Sequence, residues 1–103
     1  MDHRSLVELG ERLGRWAGRQ ARVWLYLQSL RQLHIQLGED GHAFADLICY
    51  RCWRIEVPSE WQACNIRVQE TSEGKLSVSD DAGRVHVVCE LVRVVEGVKE
   101  PVV

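Results

Sequence analysis

The feature that most constrains this chain is a period-two alternation of apolar and polar residues, which recurs between residues 21 and 96. In its clearest run, Ala21–Gln28, alanine, valine and leucine alternate with arginine, tryptophan, tyrosine and glutamine. Successive side chains of a strand point to opposite faces, so this run predicts a strand with one face in a core. The short turns between such runs favour antiparallel meanders over parallel crossovers.

The alternation resumes at Leu33, Ile35 and Leu37 after an interruption at residues 29–31. A hairpin that turns at this interruption is the first interpretation, and one long bent strand is the alternative.

The segment Leu47–Trp61 contains a slip in the alternation at Tyr50–Arg51, which predicts a bulge or a tight corner. The alternation restarts at Trp53, so we expect Trp53 in the core. A last long strand is predicted from Val85 to about Val95, with Val85, Val87, Cys89 and Leu91 on its apolar face.

One helix is predicted at residues 5–19. Ser5 and Glu8 fit a capping box at its start. The spacing also predicts the favourable ion pairs Glu8–Arg12 and Glu11–Arg15. An apolar stripe recurs at spacings of three and four, formed by Leu6, Leu9, Leu13 and Trp16. Glycines at a spacing of four mark a line where a sheet or another helix could approach closely, namely Gly10, Gly14 and Gly18.

These elements predict one α+β domain over residues 1–103: a helix at 5–19, strands within 21–96 and a loose tail at 97–103. The helix is expected to pack on a curved, mostly antiparallel sheet or partly closed barrel of about six or seven strands. A chain of 103 residues is large enough for a core without disulfides or metals.

The net charge of −2 disfavours a nucleic-acid binder that works through phosphate contacts. No apolar run approaches the ~20 residues of a membrane helix, and the N-terminus lacks the apolar core of a secretory signal. We therefore expect a cytoplasmic protein that does not bind membranes. In that compartment its four cysteines should be reduced.

The sharpest local motif is Cys49-x-x-Cys52, whose spacing suits zinc. Zinc needs further ligands, and the other cysteines, Cys64 and Cys89, are far apart on apolar faces. We therefore expect four metal-free thiols, with Cys52 the most accessible of them. The adjacent carboxylates Asp80 and Asp81 are expected in a solvated turn.

No catalytic or cofactor-binding motif is present, which favours a non-enzymatic protein without a cofactor. Trp24 and Tyr26 lie on the polar face of their predicted strand, beside Arg22 and His34. Exposed aromatics next to arginine are typical of interfaces. These four residues are the predicted interaction surface, and the protein is expected to form a homodimer, with a protein partner as a further candidate.

The order of these pieces resembles the small bacterial proteins carried on mobile gene cassettes (integron cassette proteins) and their chromosomal relatives. The resemblance rests on a short amphipathic helix followed by RVWLYLQSLRQLHIQL, CYRCWRIEVPSEW and DDAGRVHVVC. It implies a compact, often oligomeric bacterial protein and assigns no activity or functional residue.

The first functional hypothesis is thus a small interaction protein that self-associates. The alternative is a ligand-binding or enzymatic barrel with a cavity between helix and sheet. A flat aromatic patch would favour the first, and a deep pocket with His34 or His86 beside a carboxylate would favour the second.

Overall fold

The computed structural model describes residues 3–38 and 44–98, which form one helix and nine strands. Helix α1 spans His3–Gly14. The strands are β1 (Ala21–Leu27), β2 (Gln32–Leu37), β3 (Phe44–Tyr50), β4 (Arg54–Glu56), β5 (Glu60–Trp61), β6 (Arg67–Glu70), β7 (Leu76–Asp80), β8 (Val85–Cys89) and β9 (Leu91–Val98).

The strands form two antiparallel sheets, in the orders β5-β1-β2-β3-β9 and β4-β8-β7-β6. The α+β class and the antiparallel pairing are confirmed, while the single curved sheet or partly closed barrel is wrong. Inward-facing residues of both sheets form one core with Leu9 and Leu13 of α1. The hairpin interpretation of residues 21–37 is also confirmed, since β1 and β2 pair antiparallel across the turn at 28–31.

The slip at Tyr50–Arg51 marks the corner where the chain leaves the five-stranded sheet for the four-stranded one. Arg51 has a φ of 52°, and the Glu90 N–H donates to the Tyr50 carbonyl at 3.0 Å. The predicted long strand from Val85 to Val95 breaks at the same corner, between β8 and β9. After this break Val92 is buried and Leu91 is exposed, so the expectation that Leu91 shares the apolar face of β8 is wrong.

Trp53 is not in the core, because the corner changes which residue points inward. Cys52 takes the inward position and is 3% exposed, whereas Trp53 is 53% exposed. The Trp53 ring instead lies beside two cations, the Arg31 guanidinium at 4.9 Å and the Lys75 ammonium at 4.8 Å. Such cation–π contacts allow a large aromatic side chain to stay at the surface.

Helix α1 begins at His3 and ends at Gly14, so the predicted span of 5–19 and the cap at Ser5 are wrong. The expected pairs within the helix are replaced by longer-range contacts to β9. Arg12 Nη1 donates to the Val94 carbonyl at 3.2 Å, and Arg15 Nη1 contacts Glu96 Oε2 at 3.1 Å.

The expected close approach along the line of glycines is also wrong. A Cβ added at Gly10, Gly14 or Gly18 would meet no atom within 4 Å. At the other end of the chain, Gly97 and Val98 belong to β9 and not to a loose tail. The remaining part of the predicted tail, residues 99–103, lies outside the described residues.

Asp80 joins the two sheets through a buried carboxylate, in contrast to the solvated turn expected for it. It lies at the end of β7 and is 1% exposed. Its Oδ2 accepts hydrogen bonds from Trp61 Nε1 and the Asn65 N–H, both at 2.8 Å, and Oδ1 accepts from the Ala82 N–H at 2.9 Å. Gly83 lies against the Trp61 ring, where a Cβ would come within 2.7 Å of Trp61 Cγ.

Gly10 and Gly18 offer a matched test of the helix. Both have open space around them, but only Gly18 has a positive φ, of 84°. Gly10→Ala should stabilise the protein by about 1 kcal/mol, because alanine favours a helix interior. Gly18→Ala should destabilise it by a similar amount, about 1 kcal/mol, because alanine is strained at that φ. Urea unfolding measures both, and equal effects of the two substitutions would contradict the assigned end of α1.

Asp80→Asn should destabilise the fold by about 1–3 kcal/mol, because a buried N–H donor loses its acceptor when an amide replaces the carboxylate. Asp81→Asn is the matched control, since the Asp81 side chain is 95% exposed and its contact with Arg67 is at the surface. Thermal unfolding of both variants should separate them. A melting temperature for Asp80→Asn equal to that of Asp81→Asn would show that the buried carboxylate does not join the sheets.

Candidate functional site

Three of the four predicted surface residues meet on the outer face of the five-stranded sheet. Arg22 and Trp24 come from β1, and His34 comes from β2. Trp24 lies at a register shift, because Val23 pairs with Ile35 but Leu25 already pairs with His34. Trp24 is the extra residue at this bulge, and its indole lies edge-on to the His34 ring, with ring centroids 5.3 Å apart.

Asp46 of β3 holds these aromatic side chains in place. Its Oδ1 accepts a hydrogen bond from Trp24 Nε1 at 3.0 Å, and its Oδ2 lies 2.9 Å from His34 Nδ1. The sequence reasoning missed this residue. A carboxylate inside an otherwise apolar strand is unusual, and that is the signal which could have identified it.

The second ring nitrogen of His34 is also occupied. His34 Nε2 lies 2.8 Å from Gln32 Nε2, an amide nitrogen that donates. A neutral imidazole that donates from Nδ1 to Asp46 and accepts at Nε2 satisfies both contacts. With both nitrogens engaged, the His34–Asp46 pair is arranged to hold a structure and offers no open nitrogen to a substrate.

Tyr26 does not share this face, so the predicted alternation along β1 is wrong beyond Trp24. The register pairs Tyr26 with Leu33, whose side chain is in the core. Directly opposed residues lie on the same face, which places Tyr26 on the opposite side of the sheet from Trp24. Arg22 stays on the outer face, where its Nη2 donates to Gln36 Oε1 at 3.1 Å. We call the group Arg22, Trp24, His34, Gln36 and Asp46 the Trp24 face.

All four cysteines are buried free thiols, and Cys52, at 3% exposed against 2% or less for the others, is the most accessible of them, as expected. Burial raises the pKa of Cys52 to about 11 and raises that of Cys64. A hydrogen bond between Cys49 and Cys89, followed by burial, raises the pKa of Cys49, and the same bond lowers that of Cys89. Over residues 3–38 and 44–98, no group of three or more potential ligands is placed to hold a metal ion.

A groove of about 430 Å³ runs between α1 and β9. It is lined by Ser5, Glu8, Leu9 and Arg12 of the helix and by residues 92–96 of the strand. The groove lies where the alternative hypothesis expected a cavity, but neither His34 nor His86 lines it. No helix in the described part of the chain is long and apolar enough to cross a membrane.

Native thiol labelling should modify none of the four cysteines at the rate of a free thiol, since all four side chains are buried out of reach of the reagent. Denaturation should expose all four. Raising the pH to the range where ordinary thiols ionise should leave Cys52 slow, because its pKa is higher. Rapid stoichiometric modification of Cys52 in the folded protein would contradict the corner described above.

Comparison of this chain with protein-family models, with curated proteins and with solved structures finds no match.

Proposed function

We propose that this chain is a small non-enzymatic interaction protein that self-associates through the Trp24 face. The observation that carries the proposal is the state of Trp24, which is 50% exposed and yet has its indole fixed by Asp46 and His34. An exposed tryptophan on a sheet normally loses rotamer freedom when a partner covers it. Here that freedom is already restricted before binding, which lowers the entropic cost of association.

Chemical composition also supports an interface at this face. Aromatic residues and arginine are the residue types that dominate binding free energy at protein interfaces. The register extends the Trp24 face towards Arg93, because His34 pairs with Ile48 and Ile48 pairs with Arg93. Arg93 is exposed, so one surface presents both an indole and a guanidinium.

Such a surface is complementary to a second copy of itself. In a two-fold dimer each contact occurs twice, so the arginine of one copy can cover the tryptophan of the other in both directions. A guanidinium over an indole is worth about 0.5–2 kcal/mol, depending on how far it is desolvated. This argument favours a homodimer over a partner of another kind.

The cellular setting belongs to the same proposal. Four buried reduced thiols suit the cytoplasm, where thiols stay reduced. The resemblance of its sequence to integron cassette proteins supports the proposal of a bacterial, oligomeric protein.

The test uses two equally exposed tryptophans. Trp24→Glu should convert a dimer into a folded monomer, because it removes the fixed indole and places a charge in the interface. Trp53→Glu is the matched control, because Trp53 is 53% exposed but lies at the corner away from this face. Sedimentation velocity at high micromolar concentration, with circular dichroism to confirm folding, measures both.

A wild-type protein that sediments as a monomer under these conditions would refute the proposal. Dissociation by both substitutions, or by Trp53→Glu alone, would place the interface elsewhere. Trp24→Ala provides a second variant that adds no charge beside Asp46, and it should weaken the dimer in the same direction.

A further inference from the structure

We propose that the groove between α1 and β9 binds an extended segment of a partner protein, which adds to the five-stranded sheet as a new strand beside β9. This surface shares only Arg93 with the proposed dimer contact, and the inference goes beyond the self-association proposed above. Its basis is the position of β9 at the edge of the sheet, with a helix standing across from it.

The backbone of β9 determines what can bind. Within residues 3–38 and 44–98, β9 pairs with β3 on one side and with no strand on the other. Strand β9 has eight residues, which corresponds to roughly 26 Å at the usual rise of a strand. An unpaired edge presents a row of N–H and C=O groups, and another extended backbone satisfies such a row.

The helix makes this edge selective. Ser5, Glu8, Leu9 and Arg12 recur at spacings of three and four, which places them on one side of α1 facing the groove. The volume of about 430 Å³ falls within the usual size of ligand sites. The helix forms one wall of the groove and the β9 edge forms the other, so a strand that enters it directs alternate side chains at the helix.

Arg12 identifies the charge of the occupant. Its Nη1 donates to the Val94 carbonyl at 3.2 Å. This carbonyl is an acceptor on the edge of β9 that an N–H of an added strand could bind instead. Among the described residues Arg12 forms no ion pair with a carboxylate, whereas Glu96, the carboxylate that lines the groove from β9, is held by Arg15 and Trp16. When a strand N–H takes the Val94 carbonyl, the guanidinium is released to bind a carboxylate of the ligand. With Glu96 paired to Arg15, the lining keeps two guanidinium groups, Arg12 and Arg93, against one carboxylate, that of Glu8. The fitting partner is therefore an extended segment with an acidic side chain.

The test uses three blocked, fluorescein-labelled peptides of alternating valine and threonine. The first has a central aspartate, the second has lysine at that position, and the third is the aspartate peptide with alternate backbone nitrogens methylated. Fluorescence anisotropy should show that the aspartate peptide binds at least about tenfold more tightly than either of the others. NMR shifts should centre on the amides of β9 and α1.

Two protein variants provide a matched pair. Glu8→Trp fills the groove and should weaken binding of the aspartate peptide by about tenfold or more, while Glu11→Trp makes the same change on α1 outside the groove and should leave affinity within about twofold. Arg12→Gln should remove the preference for aspartate over lysine. This variant keeps the proposal testable if Glu8→Trp does not fold.

Four outcomes would overturn the inference. These are no binding of the aspartate peptide to the wild-type protein, equal binding of the methylated peptide, peptide-induced shifts centred on Trp24, and β9 shifts that depend on protein concentration in the Trp24→Glu variant without peptide. The last of these would assign the groove to a second copy of the chain.

Discussion

The carboxylate of Asp80 is the contact on which the arrangement of the two sheets depends. It lies at the end of β7 in one sheet, and it accepts the indole N–H of Trp61 from the edge strand β5 of the other sheet. A buried charge is costly unless hydrogen bonds replace its hydration, and three N–H donors do so here. Trp61 also packs against Gly83, so the same indole contacts both the end of β7 and the turn that leads to β8.

The strands could be read from the sequence where each stays within one sheet. The alternation of Leu33, Ile35 and Leu37 gave the buried face of β2, and all three are in the core. The reading failed at the corner, where Cys52 and not Trp53 points inward. A corner can change which of two successive residues points into the core. The sequence shows that the alternation is interrupted there, but it does not show which residue points inward afterwards. The sequence predicted a buried Trp53 because the two cations that lie beside its ring at the surface, Arg31 and Lys75, are far from it in sequence.

The candidate surface could be predicted from the sequence only where its residues lie on regularly paired strands. Arg22, Trp24 and His34 share a face because β1 and β2 are neighbours, which the hairpin pattern indicated. The bulge at Trp24 could not be read, since it depends on the pairing of two strands and not on either one alone. It separates Tyr26 from Trp24, whose indole donates to Asp46, a residue 22 positions away in sequence.

The Trp24 face and the β9 groove lie on the same sheet, so they are physically related. A strand added beside β9 would extend the outer face by one row next to Arg93, which is where the proposed dimer contact reaches the edge. Binding of the segment and self-association are then thermodynamically linked. If the bound segment strengthens the dimer, the dimer must bind the segment more tightly than the monomer does, by the same factor. The opposite edge is different, since β5 pairs with β1 at Ala21 and Arg22 and its Trp61 is fixed by Asp80. The sheet is therefore anchored at one edge, and the edge at β9 is where a binding event can enlarge it.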